Sequence, residues 1–256
     1  MAAVRSGRHL RVPTQDGPMR TYLSNASADA PVVFLLMDVW GFRDELFGIA
    51  DDIALAGNTC VVPDFYHRQG TVLHEVKDEQ GRSRTLSDLP KEDQEKIRAS
   101  LRALRDEQVV ADVEATIAYL DKQGLPTERF GCVGYCMGGR HALRVASALP
   151  DLFVVGASLH GSDLVTDSPN SAHHGVSRIR GAFYCGFAEL DPFAAPGVRD
   201  ALESAFSGAP ASYQFALHMG AQHGYALPQR DVYHPDSANA DWRAIRSLFD
   251  QNLRSR

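Results

Sequence analysis

The sequence has no long hydrophobic run. Its longest aliphatic and aromatic stretch near the N-terminus is Val32–Met37, far short of the roughly 20 residues that cross a bilayer as a helix. It also lacks a basic excess. Lys and Arg total 26 against 32 Asp and Glu, a net charge of −6, the opposite of the balance that nucleic-acid binding calls for. The first ten residues are positively charged but have no apolar core behind them, so no secretory signal is expected and the cytoplasm is the expected compartment. Four cysteines occur without a CxxC pair, which argues against a disulfide framework or a structural zinc site. Neither G-x-x-x-x-G-K-[ST] nor G-x-G-x-x-G is present, so no phosphate-cradling loop and no nucleotide cofactor are expected. Internal repeats, low-complexity tracts and an interdomain linker are absent as well.

What remains is a chain of 256 residues, 44% hydrophobic and 23% charged, long enough to bury a full core as one α/β unit over residues 1–256. Short apolar runs recur at Val32–Met37, Thr59–Val62, Phe130–Val133, Phe153–Leu159, Ala182–Phe187 and Tyr213–Leu217. They are mostly β-branched or aromatic and do not alternate with polar residues, the pattern of strands buried on both faces of a parallel sheet. Amphipathic stretches at Glu45–Ala56, Val109–Lys122, Gly139–Leu149 and Trp242–Leu253 predict helices between them. The series predicts a mostly parallel, doubly wound sheet with helices on both faces. Gln15-Asp16-Gly17, within His9–Leu23, predicts an antiparallel hairpin at the N-terminus. Residues 68–108 are rich in charge, with a helix start at Pro90-Lys91-Glu92-Asp93. They are read as a surface insertion or as a partial lid over a site.

The segment Gly134-Tyr135-Cys136-Met137-Gly138 fits G-x-S-x-G with cysteine in the serine position. It follows a predicted strand and opens a predicted helix, the context of a nucleophile elbow. About 0.03 chance matches to G-x-C-x-G are expected from 21 glycines and four cysteines in 256 residues. Glycine lets the neighbouring backbones close in, and the helix N-terminus favours a thiolate at Cys136. The Met137 amide is expected to face an oxyanion. The alternative is a buried structural cysteine beside a tight turn. Cys60, Cys132 and Cys185 lie in strand-like runs and read as small hydrophobes.

A thiol nucleophile needs a base and an acid that orients it. Asp191 follows the run Ala182–Phe187, and His223 follows Tyr213–Leu217. Loops at the carboxyl ends of parallel strands converge on one crevice. Glu189 is a rival for the acid. His160 ends the run Phe153–Leu159 and reads as a pocket wall, with Tyr135 beside the nucleophile. His218 is expected to point inward or into solvent, and the His173-His174 pair lacks a metal-ligand motif.

These motifs resemble the dienelactone hydrolase family of α/β-hydrolases over about Val32–Leu253. The resemblance rests on the Gly-Tyr-Cys-Met-Gly-Gly elbow, on Asp191-Pro192-Phe193 before His223-Gly224-Tyr225-Ala226, on Val62–Gln69, and on Asp38-Val39-Trp40-Gly41. It implies an α/β-hydrolase fold, a Cys136–His223–Asp191 triad, and an oxyanion hole from the amides of Met137 and Val39. Arg68 matches the position of an arginine that binds a substrate carboxylate. Asp38 stands where the family has a glutamate that meets the resting thiol. Leu227 stands where founding members carry a second arginine, with Arg230 three residues further on. The implied activity is cleavage of a lactone or carboxylic ester through an acyl-enzyme, with no metal or cofactor. The expected partner is a small-molecule ester or lactone, carboxylated ones included, and the protein is expected to be a monomer or homodimer. A thioesterase or acyl transferase on the same triad, and a non-catalytic binding protein, are the rival readings.

Overall fold

The computed structural model describes residues 7–25 and 27–254. Among the described residues eight strands form one sheet: β1 (Arg8–Thr14), β2 (Gly17–Ser24), β3 (Val32–Leu36), β4 (Thr59–Pro63), β5 (Phe130–Tyr135), β6 (Phe153–Leu159), β7 (Ala182–Leu190) and β8 (Ser212–Gln222). Their spatial order is β1-β2-β4-β3-β5-β6-β7-β8. The N-terminal hairpin β1–β2 joins β4 antiparallel, and every pair from β4 to β8 is parallel. The chain has the α/β-hydrolase architecture that the strand pattern and the family resemblance predict.

Among the described residues six α-helices complete the fold: α1 (Asp44–Leu55), α2 (Lys91–Ala103), α3 (Asp106–Lys122), α4 (Met137–Ala148), α5 (Pro196–Ser207) and α6 (Pro235–Leu253). Strand β5 shows why both faces are covered. Its side chains alternate, so a Cβ on Gly131 would meet Phe249 and Leu253 of α6, while the Cys132 sulfur reaches the Ala142 carbonyl of α4 at 3.9 Å. Strands β3, β4 and β5 are buried along their whole length, which explains their unbroken apolar runs.

The structure departs from the sequence pattern in three places. Helix α5 opens at Pro196 as its first residue. Helix α6 begins at Pro235, a full two turns ahead of Trp242, because a proline start needs no apolar periodicity. Strands β7 and β8 run to Leu190 and Gln222, so Asp191 and His223 each follow a strand end directly.

Residues 68–108 hold α2 and the start of α3, and they strap two loops together. The His74 amide donates to the Trp40 carbonyl at 3.0 Å. Ser83 exchanges backbone hydrogen bonds with Gln229 and Asp231, and Thr85 bonds the Asp231 carboxylate through its amide and hydroxyl. Among the described residues, no helix is long and apolar enough to cross a membrane.

Candidate active site

The turn between β5 and α4 is tight because glycines at its two ends let backbones meet. A Cβ on Gly134 would lie 1.9 Å from the Gly138 carbonyl oxygen, and one on Gly138 would lie 2.2 Å from that of Leu36. Cys136 itself has φ 54°, a left-handed conformation that costs a side-chain-bearing residue about 1–3 kcal/mol and that packing around it must hold. Its amide donates to the Leu159 carbonyl at 3.0 Å. The side chain stands at the N-terminus of α4, where helix amides lack intrahelical partners.

His223 comes to the same place from the end of β8. Its Nδ1 lies 2.8 Å from Asp191 Oδ2, and the Cys136 sulfur is near enough to favour the charged ring. The other Asp191 oxygen accepts the Phe193 amide at 2.9 Å, so the carboxylate is fixed at both ends. Burial favours a neutral imidazole, but the Cys136 sulfur and Asp191 outweigh it and hold the His223 pKa up to about 10. Glu189 turns elsewhere: its Oε2 accepts the Gly220 amide at 2.7 Å.

The His223 loop has a deeper anchor. Asp241 on α6 is wholly buried. It accepts the Tyr225 hydroxyl, the Tyr184 hydroxyl at 2.7 Å and His218 Nε2 at 2.5 Å. His218 therefore points inward, and Tyr225, two residues after His223, is tied to the core. Nothing in the spacing of Asp241 announces this. It sits on the solvent-like start of a helix pattern and becomes a hub only through tertiary packing.

Asp38 does not approach the thiol through any hydrogen bond. Arg43 Nη1 and Nη2 hold its two oxygens at 2.5 and 3.0 Å, and the Trp40 amide donates to it at 3.1 Å. Arg43 also bonds Glu45 at 2.6 Å, whose other oxygen accepts the Gln229 amide at 2.7 Å. Burial works against the Arg43 charge, but Asp38 and Glu45 outweigh it and push its pKa up. This buried cluster pins the Asp38–Gly41 loop, which contains Val39, to the loop before Arg230. The Tyr66 hydroxyl lies 3.3 Å from the Val39 carbonyl and 3.7 Å from Met137 Sδ, joining the loop to the start of α4.

Arg68 is already committed. Its two Nη atoms grip Asp112 at 2.7 and 2.8 Å and its Nε bonds Asp16 at 2.6 Å, so it offers no vacant fork to a ligand. Arg230 is the opposite case. It is 4% exposed, its Nε has no hydrogen-bond partner, and the nearest carboxylate oxygen, on Asp231, is 4.0 Å away. Its guanidinium lies over the Trp40 ring at 4.8 Å and against Gly224, where a Cβ would come within 3.3 Å. Burial lowers its pKa, while Asp38, Asp231 and the Cys136 sulfur attract its charge.

His160 forms a wall, its ring 5.0 Å from that of His223 and 5.5 Å from that of Tyr225. Both its nitrogens lack partners, and burial, then His223 and Arg230, push its pKa well below the usual histidine value. Tyr135 and Leu227 are fully buried and present no surface to a substrate. They are packing residues beneath the site. Among the described residues no three His, Cys, Asp or Glu side chains are grouped to hold a metal ion.

The dienelactone hydrolase family model matches residues 19–253. The chain belongs to the dienelactone hydrolase family. A carboxymethylenebutenolidase of Rhodococcus opacus is 26% identical over 253 residues, covering 95% of this chain and 90% of that one. A crystal structure from Klebsiella pneumoniae matches with a TM-score of 0.81 at 20% identity, over 96% of this chain and 98% of that one. A dienelactone hydrolase from Anabaena variabilis matches with a TM-score of 0.65 at 15% identity, over 97% and 100%. This chain is thus a dienelactone hydrolase-like hydrolase with an α/β-hydrolase fold.

Proposed function

We propose that the protein cleaves a small lactone or carboxylic ester through a Cys136–His223–Asp191 triad and an acyl-enzyme. The observation that supports this most is the position of His223, hydrogen-bonded to the Asp191 carboxylate and near enough to the Cys136 sulfur for the two to attract each other's charge. In this reading the Cys136 thiolate attacks the substrate carbonyl. The amides of Met137 and Val39 hold the developing oxyanion, usually the largest single contribution to such catalysis. The imidazolium of His223 protonates the departing alkoxide, then the neutral ring takes a proton from the water that releases the acid. Asp191 keeps Nδ1 protonated and the ring aligned.

Substrate recognition in this reading falls to Arg230 rather than Arg68, since a buried guanidinium with an unfilled fork suits a carboxylate. The substrate is then an acidic lactone or ester. Residues 68–108 act as a partial lid, because their contacts span the Trp40 loop and the Arg230 loop. Turnover of lactones and esters, each with a free carboxylate or its methyl ester, tests the reading. Acid release into water with no gain from added alcohol, amine or thiol acceptor supports a hydrolase, and a gain from an acceptor supports the transferase alternative.

A further inference from the structure

Three non-glycine residues among the described residues have positive φ: Cys136, His160 at 38° and Asp163 at 51°. Two of them bracket one short loop after β6, and the third is the cysteine that this loop touches. Strain of this kind persists only where surrounding contacts over-determine it. Three contacts hold this loop in place. The His160 amide donates to the Gly186 carbonyl at 2.9 Å, and the Ser162 amide donates to the Cys136 carbonyl at 3.1 Å. Gly161 lies against Gly139 of α4, where a Cβ on Gly139 would come within 2.8 Å of the Gly161 Cα. The loop closes onto the elbow because Gly139 has no side chain to keep it away.

The closure delivers one functional group. Ser162 is 4% exposed, and its Oγ lies 3.8 Å from Cys136 Sγ, within reach of a sulfur hydrogen bond. That sulfur is the only partner of the hydroxyl among the described residues. The geometry points to Ser162 as a positioning residue for the nucleophile, holding the Cys136 sulfur in both its charge states; this rests on the reading of Cys136 as the nucleophile. A serine hydroxyl is both donor and acceptor and rotates freely about its C–O bond. It accepts from the thiol S–H and, once the proton has gone to His223, turns to donate to the thiolate. The thiolate is the stronger acceptor, so the contact is worth more in the ionised state. Ser162 therefore favours ionisation of Cys136 while keeping the sulfur beside the Met137 amide. His160, packed against His223 on the same loop, sets the other side of this wall.

The test needs no substrate. Alkylation of Cys136 by iodoacetamide is followed against pH by mass analysis of its peptide in wild type, Ser162→Ala, Ser162→Gly and Ser162→Thr, with far-UV circular dichroism as a check on folding. A hydrogen bond to a charged acceptor displaces an ionisation by about one pH unit. The expected result is a rate profile displaced by about that amount to higher pH in Ser162→Ala and Ser162→Gly, and restored in Ser162→Thr. Either hydroxyl-free variant suffices if the other misfolds. Profiles unchanged in the hydroxyl-free variants would overturn the assignment. The outcome is separable from the functional reading, which fails if Cys136→Ala keeps turnover, whatever Ser162 does to the thiol.

Discussion

Arg230 lies over the Trp40 ring at 4.8 Å, and the nearest carboxylate oxygen among the described residues, on Asp231, is 4.0 Å away. A buried guanidinium is costly without a paired anion, and a cation–π contact offsets about 0.5–2 kcal/mol of that. A substrate carboxylate is expected to supply the missing partner. Arg230→Met should lower kcat/KM for an acidic lactone by about 10–100-fold, equivalent to about 1.5–3 kcal/mol, and change its methyl ester little. A ratio between the two substrates that matches wild type would remove Arg230 from recognition.

Arg68→Ala should behave differently. It leaves Asp112, whose side chain is wholly buried, without its bidentate partner. Loss of one member of a buried pair costs about 3–5 kcal/mol. Because Arg68 is itself partly exposed, a loss at or below the bottom of that range is expected in thermal or urea unfolding. The acidic-to-neutral substrate ratio should stay at its wild-type value. A selective loss of acidic substrate with unchanged stability would return the recognition role to Arg68.

Asp191→Asn should reduce kcat by about 10²–10⁴-fold, since an amide leaves the imidazole in the wrong tautomer, and Glu189→Gln should cost far less. The pH dependence has a definite sign. The Cys136 sulfur and Asp191 hold the His223 pKa up to about 10 against the effect of burial. The proton that His223 gives to the leaving group is therefore lost only as pH rises toward about 10, which sets the alkaline limb of kcat/KM. Removing the Asp191 charge weakens what holds the proton, so that limb should move to lower pH. A limb that stays in place, or equal losses at the two carboxylates, would contradict the assignment.

The four cysteines should separate on labelling. Burial pushes the thiols of Cys132 and Cys185 up to about 12 and raises that of Cys60 too. Cys136 alone stands at a helix N-terminus with a histidine beside it, and thiolate, not thiol, is the reactive form. Iodoacetamide should modify Cys136 first, in step with loss of activity. Labelling of Cys60 first with the same loss would overturn this.

Much of the architecture was legible because local rules governed it. Buried parallel strands read as unbroken apolar runs, and Gly134 and Gly138 mark a turn where a Cβ cannot fit. Asp191 and His223 were legible as candidates because each stands directly after a strand that ends at the same edge of the sheet. The polar contacts were not legible, because each joins elements distant in the chain. Arg68 meets Asp112 only through the path of α3, and Arg230 reaches Trp40 only because Glu45 and Ser83 hold its loop. Asp241 and Ser162 lie in no motif. The strained loop after β6 is set by contacts with α4, and a single strand-to-loop sequence holds no record of them.

Intact-mass analysis of the enzyme quenched during turnover of an activated ester, with the modified peptide mapped, tests directly whether Cys136 is the nucleophile. The expected result is one added acyl group, on Cys136, formed before steady-state acid release and absent in Cys136→Ala, which should also lose turnover. An acyl group on another residue, or full turnover by Cys136→Ala, would contradict it.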